Sequence, residues 1–204
     1  ALLIINGEFD NMIQLEAPFT EEKIRALKLG DEVEITGIVF TGRDAAHKYL
    51  HEGGELPPGM DLKDKIVYHC GPVVIKDEQG NWKVVAAGPT TSIREEPYQW
   101  EVIQKFGLRG VIGKGGMGEK TLAACREHGC VYFHAIGGAA QVLASNIVKV
   151  RDVHFMEKFG SPEAMWELEV VRFPVVVTMD SHGNSLHKEI LESSTKVFNQ
   201  LIGR

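Results

Sequence analysis

The order of apolar and amphipathic segments predicts an α/β fold, layered, with parallel strands at its centre. Three observations predict it. Runs rich in Val and Ile alternate with stretches of helical periodicity. Short loops containing Gly, Pro or Thr separate them. The 204 residues are 44% hydrophobic and 25% charged, a globular composition long enough to bury a substantial core. Alternating strands and helices favour parallel pairing, because each helix returns the chain across the sheet.

The elements follow in order. Thr20 is a plausible N-cap for a charged helix reaching Leu29, with Glu21 and Glu22 in its first turn. Gly30-Asp31 makes a turn, and VEITGIVFTG alternates as a strand. After TGRD, the segment AAHKYLHE is a helix pairing Ala45 with Tyr49 and Ala46 with Leu50. EGGELPPGM is a loop. KIVYHCGPVVI and WKVVAAGP are two strands joined by the turn DEQGN. Beyond GPTTSIRE, Pro97 opens a helix that directs Val102, Ile103 and Phe106 to the core and stops at Gly107.

The grammar then repeats. LRGVIG is a buried strand, GKGGMG a loop, and EKTLAACREH a helix ended by Gly129. CVYFHAI is a strand, and GGAAQVLASN a loop and helix. MWELEVVRF and PVVVTM are two strands, SHGN a turn, and the last helix carries Val197, Phe198, Leu201 and Ile202 on one face. The Pro-rich loop near Leu56 is a weak boundary, so one domain over residues 1–204 is expected.

Charge and composition exclude whole classes of function. With 22 Lys+Arg against 28 Asp+Glu, the net charge of −6 argues against a general nucleic-acid binder. No run of ~18 apolar residues offers a transmembrane helix. The start ALLIINGEFD lacks the basic region and long apolar stretch of a secretory leader, and a cytoplasmic chain is expected. The three cysteines, Cys70, Cys125 and Cys130, cannot all pair internally, which fits a reducing compartment.

Three loops at strand ends carry the chemistry: TGRD (Thr41 to Asp44), GPTTSIR (Gly88 to Arg94) and GKGGMG (Gly113 to Gly118). Each holds one cation, Arg43, Arg94 or Lys114. Any one alone reads as an ordinary surface charge, but three such loops suit an anion. Two guanidinium forks and an ammonium match a dicarboxylate. Thr90 and Thr91 follow a Gly-Pro turn; they read as turn and cap residues, or as hydroxyls aimed into a pocket. A threonine acting as a base needs an activating neighbour, and none is local.

Other chemistries fit less well. GKGGMG matches G-x-G-x-x-G, but the acidic residue expected about 20 positions later is missing, as FHAIGG stands there. A P-loop fails because Lys114 is followed by Gly115. Gly115 and its neighbours bring backbone close to an anion, or make a tight turn. His47 with His51, and Cys125, His128 and Cys130 with His134, are read as packing or surface residues rather than metal ligands. No GxSxG elbow occurs. The cysteines lack the usual iron–sulfur spacing.

TGRDAAHKYL, YHCGPVV, AAGPTTSIR and GVIGKGGMG, in this order and spacing, resemble the β subunit of class I fumarate hydratases. The same unit forms the C-terminal domain of single-chain versions, and the L(+)-tartrate dehydratase β subunit is similar. The resemblance runs from about Leu27 to near the C-terminus. It implies a three-layer swivelling β/β/α domain and reversible hydration of fumarate to L-malate, or, as runner-up, tartrate dehydration. A non-catalytic dicarboxylate-binding subunit is the alternative from another class.

The resemblance further implies a [4Fe-4S] cluster held by a partner α subunit, acting as Lewis acid on the leaving hydroxyl, and an α2β2 hetero-oligomer. Arg43, Arg94 and Lys114 would bind substrate carboxylates, with Thr91 and Gly115 beside them. Thr90 would act at the carbon that gains or loses a proton, paired with an aspartate of the partner. Two departures stand out. Gly42 replaces a common alanine, a small change in size. Glu95 and Glu96 follow Arg94 where methionine is common after the arginine; they either point to solvent at a helix start or tune the accepted hydroxy-diacid.

Overall fold

The computed structural model describes residues 12–203. The amino-terminal stretch ALLIINGEFD, read above for a leader, lies outside them. In chain order the elements are β1 (Ile13–Glu16), α1 (Glu21–Ala26), β2 (Glu32–Thr41), α2 (Asp44–His51), β3 (Ile66–Tyr68), β4 (Val73–Lys76), β5 (Trp82–Ala86), α3 (Glu96–Phe106), β6 (Gly110–Gly113), α4 (Glu119–His128), β7 (Val131–His134), α5 (Ala140–Ser145), β8 (Ile147–His154), α6 (Met156–Phe159), β9 (Met165–Met179) and α7 (Leu186–Leu201).

The predicted alternation places β2, β3, β6 and β7 side by side, all parallel. The long strand β9 runs antiparallel to β7 at one end and to β2 over most of its length. It therefore closes the sheet back onto its first member, and β8 pairs on its outer edge. Two devices bend the strands. In β2 the register slips between Ile35 and Gly37, and Gly37 has φ +149. A Cβ there would lie 2.8 Å from that of Ala17 and 2.9 Å from the Phe19 ring, so only glycine fits. In β9, Arg172 takes φ +51 and ties its guanidinium to Glu34.

Period-2 alternation then divides the core in two. Val33, Ile35, Val39, Ile66, Tyr68, Ile112 and Phe133 face Trp166, Leu168 and Phe173 across the closed side. Their strand neighbours Phe40, Val67, Val111 and Tyr132 face outward, beneath Ala46, Leu50, Val102, Ile103, Leu122 and Cys125 of α2, α3 and α4. The layers are thus antiparallel strands, parallel sheet and helices, the β/β/α arrangement.

Several segments differ from expectation. KIVYHCGPVVI is two strands rather than one. The sheet direction breaks at Gly71-Pro72, and Val73–Lys76 pairs with β5 in a separate hairpin. MWELEVVRF and PVVVTM are one strand of 15 residues. Pro174 is tolerated because it falls between the parts of β9 that pair with β8 and with β7, where only β2 is its strand partner. The first helix is shorter than expected, ending where Leu27 turns extended. The sequence pattern predicts neither β1 nor β8; in Ile147–His154, Lys149, Arg151 and Asp152 break up the apolar residues. The apolar face of α7 is in solvent, with Phe198 58% and Leu201 81% exposed.

Candidate active site

TGRD and GKGGMG leave the carboxyl ends of the parallel strands β2 and β6, where helix starts and free backbone donors converge, whereas GPTTSIR follows β5 of the separate hairpin and is brought back against the ends of β3 and β6. Thr41 ends β2 and is pinned to β9: its buried hydroxyl donates to Ala164 O at 3.2 Å and accepts from Trp166 N at 2.9 Å. Arg43 then stands in extended conformation at the N-cap of α2. Its Nη1 donates to Pro162 O and pairs with Glu163 Oε1, each at 3.3 Å. The guanidinium lies over Gly71 of the β3 loop. A Cβ at Gly71 would come within 2.8 Å of Nη1 and 2.5 Å of Pro162 O.

Thr90 to Ser92 wedge between the diverging ends of β3 and β6. Thr90 N donates to His69 O at 2.7 Å, Lys114 N donates to Thr90 O at 3.3 Å, and Ser92 N donates to Lys114 O at 3.0 Å. Thr91 and Lys114 form a parallel bridge. The residues singled out in two different loops are therefore backbone neighbours. Arg94, on the following 3-10 turn (Ser92–Glu95), donates from Nη2 to Thr90 Oγ1 at 3.3 Å and pairs with Asp44 Oδ2 at 3.1 Å. Asp44 follows Arg43, so one chain of contacts joins Arg43, Asp44, Arg94, Thr90 and Lys114. Gly115 is exposed at φ +80, next to the Thr91 methyl.

Beneath these loops lies a buried polar layer that sequence reasoning missed. Gln99 Oε1 is 2.9 Å from Nε2 of His47 and 2.8 Å from Nε2 of His69. His47 Nδ1 is 3.0 Å from Arg43 O, and His69 Nδ1 is 2.9 Å from Ser92 Oγ, which also accepts from the Tyr132 hydroxyl. Burial holds both imidazoles below their ordinary pKa, His69 down to about 3, so they are neutral. Ser92 is fully buried and cannot meet a substrate. The only sequence hint was the placement of polar residues at positions that should face the core.

Neither glutamate after Arg94 points to solvent as a free helix-start charge. Glu95 is fully buried. Glu96 reaches across to the next loop and accepts from Gly118 N at 2.8 Å, Lys120 N at 3.0 Å and the Thr121 hydroxyl at 2.6 Å. It caps α4, whose own N-cap is a glycine without a side chain, and so anchors the end of GKGGMG. At Gly42 an added Cβ would press on His47 at 3.1 Å and Val67 at 3.2 Å, so the missing methyl gives the imidazole room.

Arg43, Thr90, Arg94 and Lys114 thus form one linked cluster at the carboxyl ends of β2, β3 and β6. The family model for the fumarase C-terminus matches residues 6–190. The chain belongs to the fumarase C-terminus family. It is 61% identical over 189 residues to a Geobacillus stearothermophilus protein named "Putative fumarate hydratase class I", covering 93% of this chain and 36% of that one. The chain thus spans about a third of that relative's length. It is 40% identical to the "Putative L(+)-tartrate dehydratase subunit beta" of Methanocaldococcus jannaschii, covering 90% of this chain and 95% of that one. It is 36% identical to the L(+)-tartrate dehydratase subunit beta of Escherichia coli K12, covering 86% of each.

For this fumarase C-terminus chain, the cysteines do not fit as iron–sulfur ligands. All three are buried and unpaired. Burial raises the Cys70 thiol to about 12, and Cys125 is raised by its hydrogen-bonded neighbour Cys130 and by burial, which keeps both protonated. His47 is 2% exposed and spent on Gln99, and His51 pairs with Glu101 at 2.6 Å. Among the described residues no group of three His, Cys, Asp or Glu side chains is placed to hold a metal ion, and no helix is long and apolar enough to cross a membrane.

Proposed function

We propose that this chain is the substrate-clamping β part of a hydro-lyase that adds water to fumarate and removes it from L-malate, working with a cluster-bearing α partner. The observation that carries the reading is the Thr90 hydroxyl held by Arg94, with Lys114 bonded through the backbone to the same threonine. Similarity to the Geobacillus protein supports fumarate, and the two relatives named as β subunits support a partner chain.

The chemistry asked of these residues is specific. A proton leaves or joins a carbon next to a carboxylate, so negative charge builds on that carboxylate in the transition state. Arg43 and Arg94 offer planar forks to the two carboxylates and fix the molecule in register; Lys114 adds a point charge. Thr90 handles the proton at carbon. The Arg94 N–H on its oxygen favours the oxygen carrying charge, and the proton passes to an acid/base group supplied from outside this chain, an aspartate of the α partner. The [4Fe-4S] cluster that the family resemblance implies would be held by the partner and would supply Lewis-acid chemistry at the leaving hydroxyl.

Tartrate dehydration is the second reading, favoured by β-subunit relatives that match nearly their whole length. The test is anaerobic purification of the complex through a tag on this chain, followed by fumarate hydration and L-tartrate dehydration in parallel. Fumarate turnover lost in air, with tartrate inert, is the expected result. Tartrate turnover alone selects the second reading. Dicarboxylate binding without turnover and without a cluster-bearing partner would make the chain a binding subunit.

A further inference from the structure

Two carboxyl groups meet beside Arg94 with no donor between them. Glu95 closes the 3-10 turn and is fully buried, and neither of its carboxyl oxygens has a hydrogen-bond partner among the described residues. Asp44, at the start of α2, is the carboxylate that acts on it most strongly. The Oδ1 of Asp44 is also buried without a partner, while its Oδ2 takes Arg94 Nη2 at 3.1 Å. Three orphaned acceptor oxygens in one place violate the rule that buried polar atoms are paired. A single proton in the contact resolves the conflict, since a protonated carboxyl is a donor. Asp44 has the guanidinium, so it keeps the charge, and Glu95 keeps the proton.

We propose that Glu95 is a positioning residue carried as the neutral acid, donating to Asp44 Oδ1 so that the Asp44–Arg94 pair presents a free guanidinium edge to an incoming carboxylate. The assignment rests on the dicarboxylate reading given above. An ionised Glu95 would put two negative charges against one arginine and repel a dianion at the place where it must bind.

The electrostatics agree. Burial, and then the Asp44 carboxylate, push Glu95 up to about 9, with Arg94 pulling the other way. Tyr132 on β7 also feels the Glu95 charge, but burial raises its phenol above that range. His69 and His47 on the buried side are neutral from neutral pH upward. Of the groups facing the contact, Glu95 is the one that changes charge on going from neutral to moderately alkaline pH. If the ionised form is incompetent to bind, KM rises about tenfold for each pH unit above the midpoint, because apparent affinity scales with the competent fraction. A rise in KM with little change in kcat is the signature.

The experiment measures kcat and KM against pH for the intact complex and its Glu95→Gln and Glu95→Leu variants. Glu95→Leu leaves Asp44 Oδ1 without a donor and is expected to raise KM already at neutral pH. Glu95→Gln donates through its amide and cannot ionise; it is expected to recover most of the affinity lost in Glu95→Leu and to lack the alkaline rise. An alkaline rise in Glu95→Gln equal to that of the natural chain would overturn the proposal. A second readout is independent of turnover: the infrared difference between the natural complex and Glu95→Gln at neutral pH should contain the carbonyl stretch of a protonated carboxyl. Its absence overturns the assignment. If neither fumarate nor tartrate is turned over, the hydro-lyase reading fails by itself, and calorimetric binding of the dicarboxylate replaces KM in the same comparison.

Discussion

The imidazoles of His47 and His69 meet edge to face, with ring centroids 5.0 Å apart, and share the side-chain amide of Gln99. Arg43 O can only accept, so a neutral His47 must carry its hydrogen on Nδ1 and present a bare Nε2. A bare nitrogen needs a donor. The Gln99 amide satisfies both rings if its NH2 group, rather than its oxygen, lies between them; as placed, that NH2 has no partner. Nitrogen NMR of labelled histidines should therefore report the Nδ1–H tautomer for both rings at neutral pH. An Nε2–H signal for His47 would rule this arrangement out.

The same layer makes the fold acid-sensitive. Both histidines are held below the unfolded value near 6.5, His69 at about 3, so below that value the unfolded chain binds protons that the folded chain refuses. Their stabilising contribution is complete above about 6.5 and is lost as pH falls towards the folded values. Each histidine adds a slope of about 1.4 kcal/mol per pH unit in that window. Urea midpoints measured with histidine titration by NMR check this; a stability independent of pH down to about 4 would contradict it.

Glu96 ties two loops together through α4. Replacing it with alanine strands the Gly118 and Lys120 amides and the Thr121 hydroxyl. The expected loss is about 2 kcal/mol of stability, with a rise in KM as the Lys114 loop loosens. Glu96→Gln, which keeps an acceptor without the charge, should lose less. Equal stability of Glu96→Ala and the natural chain in denaturant titration would remove the capping role.

Gly71 sets where Arg43 lies. Gly71→Ala drives a methyl into Pro162 O and the guanidinium, which is expected to cost about 1–3 kcal/mol by overpacking and to displace the fork. In the assembled enzyme the loss should fall on kcat/KM more than on folding, as judged by melting temperature. Unchanged kinetics would show that Arg43 does not need this seat.

Arg43→Lys, Arg43→Ala and Lys114→Ala in the complex should each lower kcat/KM, the alanine variants by about 10²-fold or more, as expected for groups that stabilise developing charge. Arg43→Lys should recover little, because an ammonium cannot replace a bidentate fork. The absorbance of the cluster proposed for the partner should be unaltered in all three. Near-normal turnover in either alanine variant would dismantle the clamp.

The sequence by itself determined the parallel centre and the two cation loops, TGRD and GKGGMG, that follow its strands. Both depend on local periodicity and punctuation: the β-branched runs before TGRD and GKGGMG, and the stops at Gly107 and Gly129, whose left-handed φ of +64 is what glycine tolerates. It could not show that Pro174 sits inside one continuous strand, because that depends on which strands flank it. Nor could it assign Glu95 and Glu96, adjacent residues with opposite fates, one fully buried and one capping a helix 22 residues away. Spacing along a chain fixes which face a residue occupies, whereas its partner and its charge are fixed by what other segments bring to that face. Only the tertiary structure brought Asp44, Arg94, Thr90 and Lys114 into one network and buried Gln99 between two histidines beneath it.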